Sequence, residues 1–266
     1  MQVSIVLKNY LNFLRIHLLM NCKSCGASLE PAYLFCPACG ELAHAHRLDI
    51  KHVIEEFIHA FVHADKGIFL LVKQLVVAPG KTALGYINGS RKKFFNPVSF
   101  LLIAGGISFF LRDKLETNMP AGSKKMAHLI GEFVHRYTTP IIILTVPVLS
   151  FYSWLFFKSS GKNYAENMVM NMYMMGEYHL FTILSFILPV VFAPQLSVFF
   201  TIASFLVMAV YYFITCRNFY GFGSSRTLTR IIVIELLYLL TTTVLMGIAM
   251  LIFFIQSGLH IKDLKQ

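Results

Sequence analysis

The stretch IIVIELLYLLTTTVLMGIAMLIFFIQ, residues 231–256, carries one charged side chain, Glu235, near its start. About 20 consecutive apolar residues suffice for a helix to cross a bilayer, so this run fixes the chain as a lipid-spanning protein or one with a wholly buried core helix. Composition favours the first. Of 266 residues, 56% are apolar and only 14% charged, with a mean hydropathy of +0.65, whereas soluble domains average about 45–50% apolar and about 25% charged. Four further runs, 97–111, 138–157, 178–193 and 196–215, bring the expected spans to five, the first and third being short for the purpose. The predicted fold class is therefore all-α: a polytopic helical membrane protein whose transmembrane helices lie within 97–256, followed by a tail at 257–266.

Ahead of that region stand two knuckles, Cys22-x-x-Cys25-Gly and Cys36-Pro-x-Cys39-Gly. Each CxxC turn supplies two thiolates, four thiolates complete a tetrahedron, and the glycines let backbone N–H groups approach the sulfurs. Residues 21–41 are thus read as a small zinc ribbon with Cys22, Cys25, Cys36 and Cys39 as ligands and zinc as a structural cofactor. A closed set of four thiolates leaves no coordination position for catalysis. Closely spaced thiolates without other cysteine pairs point to a reducing compartment, which places the N-terminus in the cytoplasm. The fifth cysteine, Cys216, reads as a small apolar residue.

The net charge of +10 is not concentrated on the knuckles, since Lys23 and Arg47 are the only lysine or arginine residues between 21 and 47. It therefore reads as topology and contact with anionic lipid rather than nucleic acid. With the N-terminus inside, the lysine and arginine distribution fits five spans. It fits slightly better a four-span arrangement in which 97–111 dips in and returns. The uncharged 97–111 with its Gly105-Gly106 pair suits either, and five is the number expected here.

Residues 1–20 make a poor signal peptide and read as an upstream extension, with Met20 as the native start, or as a short interfacial helix. Between 48 and 96 the chain reads as cytoplasmic and interfacial. An amphipathic helix is predicted over 48–63 from the spacing of Leu48, Ile50, Val53, Ile54, Phe57, Ile58, Phe61 and Val62. A short apolar segment, 68–77, follows and is stopped by Pro79-Gly80. A turn-rich basic segment, PGKTALGYINGSRKKFFNP, then runs to the first span. Its Gly80-Lys81-Thr82 imitates the end of a phosphate-binding loop, but Leu75 stands where that motif requires glycine, so nucleotide binding is rejected.

Three groups of polar residues could carry chemistry. His52, Glu56, His59 and His63 share the polar face of the amphipathic helix, with Asp65 and Lys66 next. Glu56-x-x-His59 and Glu132-x-x-His135 have the spacing of helical di-metal sites, with Glu166 and Glu177 as further carboxylates, although five spans would part the two pairs; solvated polar faces are the preferred reading. Arg91, Lys92 and Lys93 precede a span beside Phe94 and Phe95, as residues meeting anionic headgroups do, or as a topology anchor. Glu177 and His179, with Glu235, are candidates for a polar pocket inside the membrane. The candidate polar or headgroup site thus comprises His59, His63, Asp65, Lys66, Arg91, Glu177 and His179.

The order of motifs also resembles an uncharacterised bacterial membrane-protein family of unknown function. The likeness is carried by the ribbon, FIHAFVHADKG, PGK, YINGSRKKFFNPVSFLLI and NYAEN, mostly within 22–103 and more weakly at 163–167. Matching positions are His59, His63, Asp65, Lys66, Gly67, Pro79, Gly80, Tyr86, Gly89, Arg91, Asn96 and Pro97; the family commonly has Gly-Lys-Arg where this chain has Gly89-Ser90-Arg91. The resemblance implies architecture and a bacterial inner membrane, and no mechanism. The preferred functional expectation is transport, lipid handling or assembly of a membrane complex, with membrane lipids bearing anionic headgroups as partners. A membrane-embedded enzyme acting on a lipid or acidic headgroup, and a sensor or scaffold whose ribbon docks a cytoplasmic protein, stand as alternatives.

Overall fold

The computed structural model describes residues 20–43, 47–59, 67–116, 125–187 and 194–256. The N-terminal extension 1–19 and the tail 257–266 lie outside them. The chain opens with a two-stranded antiparallel ribbon, β1 (Met20–Asn21) and β2 (Ser28–Leu29), in which Met20 faces Leu29 and Asn21 faces Ser28. Eight α-helices follow among the described residues: α1 (Ile50–His59), α2 (Ile68–Val77), α3 (Pro79–Ile87), α4 (Pro97–Glu116), α5 (Lys125–Phe156), α6 (Tyr164–Thr182), α7 (Ser197–Tyr220) and α8 (Ser224–Gln256).

The helix boundaries follow from local chemistry. Asn96 caps α4, its side-chain oxygen accepting the N–H groups of Val98 and Ser99 at 2.8 and 3.2 Å, while Pro97 takes the first helical position, where no N–H is needed. Asn163 caps α6 through a capping box. Its side chain accepts the Glu166 N–H at 2.8 Å and the Glu166 carboxylate accepts the Asn163 N–H at 2.8 Å. Helix α3 ends in a Schellman turn: the Ser90 N–H donates to the Gly85 carbonyl and that of Gly89 to Tyr86. That closure needs a left-handed residue, and Gly89 supplies it at φ 107°.

One expectation is corrected here. The segment 79–97 is turn-like only in its second half, because Pro79 starts α3 at its first position rather than ending order. The polar stretch that follows Asn163 forms α6, whose Asn167, Asn171, Glu177 and His179 are all buried. Polar side chains tolerate burial where partners exist: the Asn171 amide donates to the hydroxyls of Ser150 and Ser153 on α5, each at 3.2 Å. Helix limits also differ from the expected runs. Helix α5 extends N-terminally to Lys125 through Pro140 and Pro147, and α6 begins at Tyr164 and continues into a π-helical turn at Ile183–Ile187.

The five long helices alternate in direction relative to the ribbon. Tyr173 of α6 donates to the Phe95 carbonyl beside the start of α4 at 2.8 Å. Phe157, just past α5, stacks flat on Tyr220 at the end of α7, centroids 3.8 Å apart, and Tyr220 hydrogen-bonds Asn167 in the second turn of α6. At the far end of α5, Phe133 and Tyr137 pack on Phe253 of α8. Helices α4, α6 and α8 therefore run away from the ribbon, and α5 and α7 return to it. Tyrosine–threonine hydrogen bonds, Thr145 with Tyr238 and Tyr152 with Thr241 at 2.9 and 2.8 Å, join α5 to α8.

Helices α7 and α8 are long and apolar enough to cross a membrane, over Ile202–Tyr220 and Ser224–Gln256, and only 22% and 6% of their most apolar windows are buried. Apolar side chains such as Phe199, Phe205, Leu206, Leu236, Leu239, Leu240 and Leu251 face outward.

Candidate metal centre and its seat on the helices

The two knuckles are built alike. Cys22 accepts from the Gly26 N–H and donates to the Ala27 carbonyl, both at 2.8 Å; fourteen residues later Cys36 accepts from Gly40 at 2.8 Å and donates to Glu41 at 2.7 Å. Each turn closes through a left-handed glycine, Gly26 at φ 79° and Gly40 at φ 71°. The Phe35–Leu42 bridge brings the second knuckle into a short hairpin. All four sulfurs lie within 4.8 Å of one another, with Cys22–Cys39 at 3.5 Å and Cys25–Cys36 at 3.6 Å. A metal–sulfur bond of about 2.3 Å gives a tetrahedron whose edge is about 3.8 Å, so the sulfurs are spaced to hold one ion. They are too far apart for S–S bonds of about 2.05 Å, and the cysteines are free.

Backbone N–H groups of Cys25 and Ser24 facing the sulfur hold the Cys22 thiol down at about 7. For Cys39 the Glu41 N–H favours the thiolate, but burial and three neighbouring sulfurs push it up to about 12. Four thiolates this close repel one another, and a divalent cation is what allows them to ionise together. Among the described residues these four cysteines are the group with metal-ligand spacing.

The ribbon is seated on the helices, not hung from a free linker. Its seam has two parts. Glu41, 4% exposed, takes the Ser24 hydroxyl at 2.6 Å and the Lys92 backbone N–H at 2.7 Å on one carboxylate oxygen. Ser90 donates to the Lys23 carbonyl at 2.8 Å. The first knuckle is thereby stapled to the basic turn between α3 and α4. The second part lies across the α5–α6 loop. Arg47 grips Glu166 with two bonds of 3.0 Å and the Gly161 carbonyl with one of 2.6 Å, and the Asn163 amide donates to the Leu48 carbonyl at 2.7 Å. Burial works against the Glu166 carboxylate, but the Arg47 guanidinium, the Asn163 N–H and the charge of Lys162 outweigh it and hold its pKa below the usual carboxylate range.

Glu166 therefore has partners on both oxygens, and its structure assigns it to the seam, not to a di-metal site. The other expected polar residues divide. Arg91 sits half-buried in the stapled turn. Glu177 and His179 lie buried deeper in α6, Glu177 being about 16 Å further along the helix axis than Glu166. His179 packs near Gly105 of α4, and the Glu177 Oε2 has no hydrogen-bond partner among the described residues. His59 is the last residue of α1; His63, Asp65 and Lys66 lie outside the described residues, so their meeting with Arg91 is untouched by the geometry. Glu235 is exposed on α8.

Sequence reasoning passed over Glu41, Arg47, Ser90 and Asn163 as binding residues. Ser90 alone carried a signal, the serine where similar chains have lysine. The PGK and NP motifs are explained by backbone packing. A Cβ on Gly80 would meet the Thr215 carbonyl oxygen at 2.5 Å and the Phe219 nitrogen at 2.9 Å, so glycine is what lets α3 cross α7.

Comparison with known proteins reaches part of this region. No curated protein and no solved structure matches the chain. A family model described as a protein of unknown function, DUF3667, matches residues 65–109; the chain is thus similar to an uncharacterised family over α2, α3, the stapled turn and most of α4.

Proposed function

We propose that the chain is a polytopic integral membrane protein of the bacterial inner membrane, with the ribbon end cytoplasmic, acting in lipid handling, transport or assembly of a membrane complex. The observation that carries this reading is the pair of helices α7 and α8, whose outward faces are apolar and uncovered along most of their length. A large apolar surface of that kind calls for lipid or protein cover. The alternation of α4–α8 supports five passes. The ribbon end also gathers rings and cations typical of a membrane–water boundary: Lys93 over Phe94, Lys158 over Trp154 and Lys162 over Phe219, each within 5.7 Å. Alkaline carbonate washing of membranes tests this. The chain is expected to stay with the pellet, and release into the supernatant would overturn the reading.

The ribbon is proposed to hold zinc as a structural ion, four sulfurs being the donor set zinc selects. Elemental analysis of the purified protein is expected to give one zinc per chain, falling to none in Cys36→Ser/Cys39→Ser. A second reading, docking of a cytoplasmic protein on the ribbon, is favoured by Tyr33, Leu34 and Phe35, which stand exposed on its outer hairpin, Leu34 at 74%. Loss of one co-purifying protein from Leu34→Asp, with zinc retained, would support it.

A further inference from the structure

The junction of α5, α6 and α8 carries four cations, three of which the metal centre and its seat do not use; the fourth, Lys162, also acts through its charge on Glu166. Arg226 and Arg230 lie one turn apart on the first two turns of α8, and Lys158 and Lys162 lie on the α5–α6 loop. Each is held against a ring. The Arg230 guanidinium lies 4.6 Å from the Phe222 centroid and 5.4 Å from that of Phe157. Arg226 is 5.9 Å from Phe222. Lys158 and Lys162 sit over Trp154 and Phe219 at 5.7 and 5.6 Å. The rings themselves are fixed: Tyr220, Phe157 and Phe222 form a stacked column, with centroid separations of 3.8 and 6.0 Å.

Arg230 also reaches the Ser159 hydroxyl at 3.4 Å. None of the four forms a direct ion pair among the described residues; Lys162 acts through its charge on Glu166, which Arg47 grips. Like charges one helical turn apart repel, and cations near a helix N-terminus oppose its dipole. Arg226 and Arg230 therefore carry a cost that a bound anion would remove. A guanidinium backed by a ring keeps several N–H donors, the groups that pair with phosphate oxygens.

We infer that Arg226, Arg230, Lys158 and Lys162 form a binding site for a phosphate group, supplied by the headgroup of an anionic phospholipid. The site is separate from the Arg91–Lys93 turn, and the lipid source rests on the membrane reading above. An aromatic-backed cluster beside the outward apolar face of α8 lets one molecule place its phosphate on the arginines and its acyl chains along the helix.

The test is native mass spectrometry of the detergent-solubilised, zinc-loaded full chain, titrated separately with phosphatidylglycerol, phosphatidylcholine and inorganic phosphate. Wild type is expected to retain phosphatidylglycerol over phosphatidylcholine. Arg226→Gln/Arg230→Gln should lose that retention by about thirtyfold, near what two arginines contribute at an anionic surface. Arg226→Lys/Arg230→Lys should keep part of it, and Lys73→Gln, on the exposed face of α2, should keep all of it. Unchanged zinc content and melting temperature show that the glutamine variant is folded. Equal retention by wild type and that variant overturns the site. Displacement of the lipid by inorganic phosphate at equal concentration keeps the phosphate chemistry and overturns the lipid source. The membrane reading fails separately, by carbonate release of the wild type.

Discussion

Arg47 and Glu166 show how unequal the two halves of one ion pair are. The arginine side chain is 59% exposed and the glutamate 6%, so removing each leaves a different orphan. Glu166→Gln leaves a guanidinium that water can solvate, and should cost about 0.5–1 kcal/mol. Arg47→Ala leaves a buried carboxylate short of a partner, and should cost about 1–2 kcal/mol. Thermal unfolding in detergent checks the order, and a larger loss from Glu166→Gln would contradict it. The pH dependence follows from the lowered pKa of Glu166. Its contribution is complete above the ordinary carboxylate value of about 4.3 and is lost as pH falls through the lower folded value. Protection of the 158–163 loop from proteolysis should therefore stay flat from neutrality to about pH 5 and decline below about pH 4.3, a decline that Glu166→Gln abolishes. Gly80 gives a second test at this scale. Alanine there must displace backbone atoms of α7 that have no freedom to rotate away, so Gly80→Ala should lower stability by about 2 kcal/mol.

At the scale of elements, the residue that caps a helix carries more than its helix. Asn163 caps α6 with its oxygen and ties Leu48 with its amide nitrogen. Asn163→Asp keeps an acceptor for the cap and loses the donor. It should leave helix content unchanged by circular dichroism while loosening the segment around Leu48 in hydrogen exchange. Asn163→Ala should lose both, at a cost of about 1–2 kcal/mol. These roles also mark how far the sequence could be read. The knuckles were legible because metal spacing and left-handed glycines are local patterns. Asn96-Pro97 was legible as a boundary for the same reason, cap and proline being neighbours. The seam was not, because Arg47 and Glu166 are 119 residues apart and no periodicity links them. The hydrogen bonds that let α6 bury its amides were not legible for a related cause: the partners of Asn171 lie on another helix.

For the whole molecule, the ribbon and the helices are coupled through a seam of hydrogen bonds, so the metal centre and the helices should report on each other. Chelation of the proposed metal, or Cys36→Ser/Cys39→Ser, is expected to unfold residues 20–43, since so short a segment buries little apolar surface of its own. With Glu41 and Ser24 displaced, the turn at Arg91, Lys92 and Lys93 should become a trypsin site, while most helical signal persists because α4–α8 pack on one another. Cleavage at 91–93 at equal rates with and without metal would show that the seam does not depend on the ribbon's fold. Glu41→Ala should expose the same turn with the metal content of the protein unchanged.

Helix α8, finally, is a ruler. Its 33 residues measure about 50 Å, against a hydrocarbon core of about 30 Å. Even at the steepest ordinary tilt, about 40°, a spanning α8 would keep only about 26 residues within lipid. About seven would be left over, and on the membrane reading the charged end with Arg226 and Arg230 is where they belong. The length of the helix then bears on the height at which those two charges leave the oil, whichever way the bundle leans.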